Sequence, residues 1–262
     1  MSKLTSWIEQ FGFSKGGVIH VGAHEAQEAS EYATQGLEPV LWFEAVPSLV
    51  DRASERLKVF PNQRIHAGLL WSEPDQMKTL NLSSNDLGSS SLFQFYLHKA
   101  SYPQVRMENS ITMHTTTLDS IVPNYSEFAN QFSYLVLDVQ GSELEVLKGS
   151  TAVISELDAI MVEVSIRELY KDAPIYSEVV KWLTGQGFTL IADDVNHNVG
   201  WGDALFLRTA VLNDRYPHIQ PSAAAISRKM PSWGVFLRGI LVKVGLKPEY
   251  LSRIFLTGIF RR

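Results

Sequence analysis

A chain of 262 residues with 45% hydrophobic and 19% charged residues has the composition of a globular protein with material for one large core, which excludes intrinsic disorder and fibrous repeats. It contains no cysteine, so disulfides, thiolate metal sites, iron–sulfur clusters and a thiol nucleophile are excluded together. The net charge of −5 is uneven: residues 211–262 hold nine Lys/Arg and two Asp/Glu, +7 against −12 for residues 1–210, and a body that acidic lacks the basic face that nucleic-acid binding requires.

The N-terminal stretch has neither the apolar run nor the small-residue cleavage site of a secretory signal. No apolar run reaches the roughly eighteen residues a membrane span needs, so a cytoplasmic protein is expected. From residue 17 onward, short β-branched runs alternate with segments of helical period, the pattern of a parallel sheet with crossover helices. Strands are predicted at 17–21, 39–43, 63–67, 134–139, 159–164, 188–193 and 204–208, and helices at 26–35, 47–59, 142–155 and 175–185. Pro47 and Pro174 suit first helical turns. Residues 72–133 are less regular, and the run NLSSNDLGSSSL reads as a loop that shapes a site at the strand ends. A turn-like stretch around Tyr216-Pro217 and Gln220-Pro221-Ser222 marks a boundary, so a domain over 1–210 and a basic helical tail over 211–262 are expected. Within the tail, residues 231–244 and 250–262 mix large apolar side chains with cations. Such segments pack on the body or on a second copy of the chain, or lie in a membrane interface with their cations toward anionic headgroups. Gly234, Gly239 and Gly258 weaken autonomous helices and favour packing.

The chemistry gathers at predicted strand ends. Val18-Ile19-His20-Val21 runs into Gly22-Ala23-His24-Glu25, a turn of small residues that lets a ligand approach the backbone. Twenty-two residues after Gly22, Glu44 ends the second strand, where such folds bind ribose hydroxyls, because each carboxylate oxygen can accept from one hydroxyl. A tight turn and a solvated strand end are the alternative readings of Gly22 and Glu44. The G-x-G-x-x-G fingerprint that admits a pyrophosphate is absent. That favours S-adenosylmethionine, which has ribose and adenine without pyrophosphate, over a dinucleotide.

The segment Leu137-Asp138-Val139-Gln140-Gly141-Ser142-Glu143-Leu144-Glu145-Val146-Leu147-Lys148-Gly149 resembles the signature of the FkbM-type methyltransferases, an Asp-x-Glu-Gly core followed by Glu, Leu and Lys-Gly. Val21-Gly22-Ala23-His24, Phe43-Glu44, Ser89-Ser90-Ser91-Leu92, Thr117-Leu118-Asp119, Val162-Glu163-Val164 and Gly200-Trp201-Gly202-Asp203-Ala204-Leu205 follow the same order, so the resemblance spans roughly residues 17–208. It implies a class I methyltransferase (Rossmann-like) α/β fold, with a mostly parallel seven-stranded sheet between helices. It also implies S-adenosylmethionine as donor and O-methylation of a sugar or polyketide hydroxyl. Ala26, Ala45 and Gln140 depart from the common glycine, proline and glutamate. The amide of Gln140 questions any role that needs a carboxylate there; it is read as a feature of a subgroup.

Cofactor contacts are expected from Gly22, Ala23, His24, Glu25, Glu44, Ala45, Asp138 and Gln140. Asp138, Glu163 and His197 are the catalytic candidates, the acids to orient or deprotonate the acceptor and the imidazole as a base that titrates near neutrality. Asp138 could instead cap the following helix. Ser90, Ser91, His98, Trp201 and Asp203 are expected to meet the acceptor, with Trp42, Trp71 and Tyr170 as further stacking surfaces that could equally be core. Asp138 with Glu163 could hold a hard divalent cation, although metal-independent transfer is the favoured reading. The leading expectation is an O-methyltransferase acting on a sugar or glycan. A polyketide or other small-molecule O-methyltransferase, and a catalytically silent scaffold for glycan assembly, are the alternatives.

Overall fold

A computed structural model describes residues 1–221 of the chain; the expectations for residues 222–262 lie outside the described residues. Helix α1 (Lys3–Phe11) starts where the Ser2 hydroxyl accepts from the Thr5 N–H, and it buries Leu4, Trp7 and Ile8. It leads into β1 (Gly17–Val21), α2 (Ala29–Gln35), β2 (Val40–Glu44), α3 (Pro47–Leu57) and β3 (Gln63–Ala67). The insertion then supplies β4 (Leu69–Leu70), β5 (Met77–Ser83), α4 (His98–Ser101), β6 (Met107–Thr116) and α5 (Leu118–Ile121). The second half contains β7 (Phe132–Leu137), α6 (Glu143–Lys148), α7 (Thr151–Ser155), β8 (Ala159–Ser165), α8 (Tyr176–Gly185), β9 (Phe188–Asp193), β10 (Trp201–Arg208) and α9 (Thr209–Arg215).

Seven strands form one sheet in the order β3-β2-β1-β7-β8-β10-β9, in which only β10 runs antiparallel to its neighbours. This is the class I methyltransferase arrangement expected from the sequence. Every residue of β1 and β2 is buried, because crossover helices cover both faces of a parallel sheet. β1 and β7 are neighbours, whereas the chain leaves β1 for β2 on its other side. That reversal opens a crevice at the carboxyl ends of β1 and β7, the place where open α/β sheets collect ligands.

Three features differ from the sequence reading. β5 and β6 pair antiparallel from Met77↔His114 to Ser83↔Met107, and β4 adds to β6 to complete a second, three-stranded sheet. These strands are half exposed and rich in Thr, Ser and Asn, so no apolar run announced them. The segment expected as one helix over 142–155 breaks into α6 and α7 at Gly149, where a Cβ would lie 2.1 Å from the Trp71 carbonyl oxygen. The packed body also passes residue 210: Val211, Leu212, Tyr216 and Ile219 share a core with Leu4, Trp7 and Trp42, and Tyr216 Oη accepts from the Ser14 N–H at 2.9 Å.

Candidate active site

Gly22 sits where the ends of β1 and β7 meet backbone to backbone. Its φ is +86°, and a Cβ there would lie 1.8 Å from the Asp138 carbonyl oxygen, so no L side chain fits. The Gly22 and Ala23 N–H groups both donate to the Phe43 carbonyl, at 3.0 and 2.9 Å, which draws the turn against the end of β2. There Glu44, 9% exposed, accepts at 2.9 Å from each of the His24, Ala45 and Val46 N–H groups. Burial pushes its carboxyl above the usual range and these donors pull it back. A carboxylate offers about four acceptor positions, so one is left for a ligand.

Glu44 lines a cavity of about 120 Å³ whose polar wall is Gly22, Asp138, Gln140 and Ser142 and whose apolar wall includes Leu49, Leu69, Leu80 and Leu87. The insertion closes it with Leu87, Gly88 and Ser90. That loop is held down by a His24 Nε2–Asp86 O bond of 2.8 Å and an Arg52–Asp86 ion pair of 3.2 Å. The Ser142 hydroxyl is buried and has no partner among the described residues. An unpaired buried hydroxyl is costly, and a polar ligand in the cavity would relieve it. The lining offers leucines to an adenine ring, the remaining acceptor position of Glu44 to ribose hydroxyls, and Ser142 with Asp138 to a charged amino-acid end.

Beyond Asp138 a second cavity of about 350 Å³ opens, sharing Gly88, Asp138 and Gln140 with the first. Gln140 organises the junction. Its Nε2 donates to Asp138 Oδ1 at 2.7 Å and to Glu163 Oε2 at 3.0 Å, while its Oε1 accepts from Tyr170 Oη at 2.6 Å. Gln140 itself has φ +54°, and its carbonyl accepts from Ser91 Oγ at 2.7 Å. Glu143 ties down the loop by accepting from the Val139 and Gly141 N–H groups at 3.0 and 3.1 Å. Desolvation, opposed by backbone donors and reinforced by the Asp138 charge, pushes Glu143 up to about 7. Glu163 is also raised well above the usual carboxylate range, by burial first and then by the charges of Asp138 and Glu143. Asp203 faces Glu163 in the β8–β10 register and is pushed up to about 7 by burial, then by Asp138 and Asp194.

The expected residues therefore divide. Gly22, His24, Glu44, Ala45, Asp138, Gln140 and Ser90 line the first cavity, and Asp138, Gln140, Glu163, His98 and Trp201 the second. Ala23 is buried behind the turn, and Glu25 spends its carboxylate on Arg52 and Arg56 at 2.6 and 2.9 Å. Ser91 is fully buried and anchors the insertion to Gln140, which leaves its hydroxyl unable to meet a ligand. His197 is exposed on a loop and lines neither cavity; its carbonyl accepts from Arg167 at 2.6 Å. Trp42 is core, its Nε1 donating to Gln63 Oε1 at 3.0 Å. Ser142 and Glu143 were not singled out by sequence reasoning, although both stand in the quoted signature. Among the described residues no group of three or more His, Asp or Glu is placed to hold a metal ion. The position between Asp138 and Glu163 is taken by the Gln140 amide, a donor that fills the gap a cation would occupy.

The methyltransferase FkbM domain profile matches residues 20–190, more than half of the chain. No curated protein matches the sequence. Among solved structures, the chain is similar to an uncharacterized protein of Listeria monocytogenes at 10% identity and TM-score 0.49, covering 97% of this chain and 93% of that one. It is similar to an NADB-Rossmann superfamily protein of Streptococcus agalactiae at 11% identity and TM-score 0.48, covering 94% and 84%. A third, magnesium protoporphyrin IX methyltransferase of Synechocystis, shares 12% identity at TM-score 0.42 over 78% and 76%. With the signature segment folded around the crevice and the domain match extending from β1 into β9, the chain belongs to the FkbM methyltransferase family and is an S-adenosylmethionine-dependent methyltransferase.

Proposed function

We propose that this enzyme methylates a hydroxyl of a sugar or glycan. The observation that carries the reading is the junction: Asp138 and Gln140 belong to both cavities, so an acceptor in the larger chamber meets the donor chamber across these two residues. Bound S-adenosylmethionine supplies an electrophilic methyl group on a sulfonium. The chain's own task is to align a hydroxyl with that methyl and to receive its proton. Glu163 is suited to the second part, since its carboxyl lines the acceptor chamber and one of its oxygens is fixed by Gln140. A carboxylate whose proton affinity is raised by burial is a stronger base than one in water. Asp138, on the shared wall, orients the hydroxyl. Aromatic rings of Tyr102, Tyr170 and Trp201 in the same chamber suit the apolar faces of a pyranose.

The test is a labelled-methyl assay with neutral glycosides and, separately, polyketide-type secondary alcohols, with the product's methyl carbon located by NMR. Transfer to a glycoside oxygen is expected. Glu163→Gln should lower kcat by about 10²–10⁴-fold, the usual range for a general base, without lowering the melting temperature. A methyl group found on nitrogen or carbon, or transfer to the alcohols alone, would refute the reading.

A further inference from the structure

The acceptor chamber is lined by acids and by neutral donors. Asp138, Glu143 and Glu163 line it, and among the described residues no Lys or Arg does. The donors that face these acids are neutral: the Gln140 amide holds Asp138 and Glu163, and two backbone N–H groups hold Glu143. The chamber has a second, independent feature. His98 lines the same chamber and is only 4% exposed, with its ring stacked on Phe95 at 4.1 Å and 4°, yet its Nδ1 has no hydrogen-bond partner among the described residues. Burial lowers its pKa, so the imidazole is neutral near pH 7 and its Nδ1 can bond a hydroxyl without adding positive charge. A buried ring nitrogen left unpaired marks a place where a ligand's polar atom belongs.

We infer that the chamber selects an uncharged polyhydroxylated ring, bonded by His98 Nδ1, and rejects acceptors bearing a carboxylate or phosphate. This deepens the proposed function and rests on it only for the identity of the ring as a sugar. An anion entering the chamber would lose its hydration and add charge beside a cluster of acids that already holds protons against its own repulsion, with no Lys or Arg in the described wall to offset it, and like-charge juxtaposition of this kind costs several kcal/mol. A neutral ring gives its hydroxyl protons to the carboxylates, takes or gives one bond at His98, and lays its apolar face on Tyr102 or Trp201, whose own polar atoms are paired to each other at 3.2 Å.

The experiment uses the full chain saturated with S-adenosylhomocysteine and measures binding of methyl hexosides, the matching methyl hexuronides and the matching 6-phosphates by calorimetry and saturation-transfer NMR. Neutral glycosides should bind at least roughly tenfold more tightly than their anionic counterparts. His98→Ala should weaken neutral binding by about three- to tenfold, the effect of losing one hydrogen bond, and a parallel melting curve shows whether the fold is kept. Asn85→Lys supplies a variant outside the acid network: Asn85 is exposed on the loop that lines this chamber, and a cation there should bring the neutral and anionic affinities closer together. The inference is overturned if a hexuronide or phosphate binds as well as its neutral counterpart, or if no neutral glycoside binds. Selective binding of neutral glycosides without methyl transfer to their oxygens would instead defeat the O-methylation reading and leave the selectivity standing.

Discussion

Replacing Gln140 by Glu would convert the amide that separates two carboxylates into a third carboxylate. The change removes two donated bonds, 2.7 Å to Asp138 and 3.0 Å to buried Glu163. Hydrogen bonds to charged groups contribute about 1.5–3 kcal/mol each, and because Asp138 is exposed its bond is discounted for screening. A loss of about 2–4 kcal/mol at pH 8 follows, or roughly 5–15 °C in melting temperature for a domain of this size. The pH dependence gives the sharper test. The introduced acid would have its folded pKa raised above its unfolded value by Asp138 and Glu163, so the native state would bind more protons in that interval and stability would fall as pH rises through it. The deficit relative to the parent protein should be largest at pH 8 and shrink toward pH 5, where a shared proton restores one donor. Gln140→Met loses these bonds and the one accepted from Tyr170 without adding charge, so its deficit should be larger but level with pH. Paired thermal melts of both variants and the parent, at several pH values, decide the matter. A Glu variant as stable as the parent at pH 8, or with a deficit independent of pH, would refute the bridging role of the amide.

Three further outcomes are expected. Ser142→Ala removes a buried hydroxyl with no partner among the described residues, so the melting temperature should hold or rise while calorimetry shows about two- to tenfold weaker donor binding; unchanged affinity would remove Ser142 from the donor site. Gly22→Ala forces a Cβ to 1.8 Å from a backbone oxygen at φ +86°, and overpacking with left-handed strain should cost about 2–5 kcal/mol, seen as a lower urea midpoint with loss of donor binding; a parent-like midpoint would contradict the close approach of β1 and β7. His20, stacked on Trp42 at 4.7 Å, has its pKa lowered from 6.5 to about 4 mainly by burial. The unfolded chain therefore binds the extra proton in that window, and about 3 kcal/mol of stability should disappear as pH falls from 6.5 to 4. His20→Phe should flatten that part of the urea-midpoint profile, and an equally steep profile would show that other groups control it.

The sequence alone determined the class of fold and the order of its main-sheet strands along the chain, because buried parallel strands must be continuous apolar runs and their helices must carry a 3.6-residue period. It also located Gly22, Glu44 and Asp138 at strand ends, since strand ends are legible wherever an apolar run stops at a small or acidic residue; Glu163, expected to end its strand, lies two residues inside β8. The second sheet stayed hidden because β5 and β6 are held by cross-strand backbone pairing and bury little, and pairing between residues 24 to 37 positions apart leaves no local period. Tertiary structure also decided which polar residues are free to act. Glu25, Ser91 and His197 have suitable chemistry, but two are spent on internal partners and the third stands outside both cavities. Conversely, Ser142 acquires its importance only from being buried without a partner among the described residues, while the roles of His98 and Gln140, both expected at the site, are defined by an unpaired Nδ1 and by a place between two acids. A residue type states what a side chain can donate or accept; whether that capacity is already satisfied depends on neighbours brought in from distant parts of the chain.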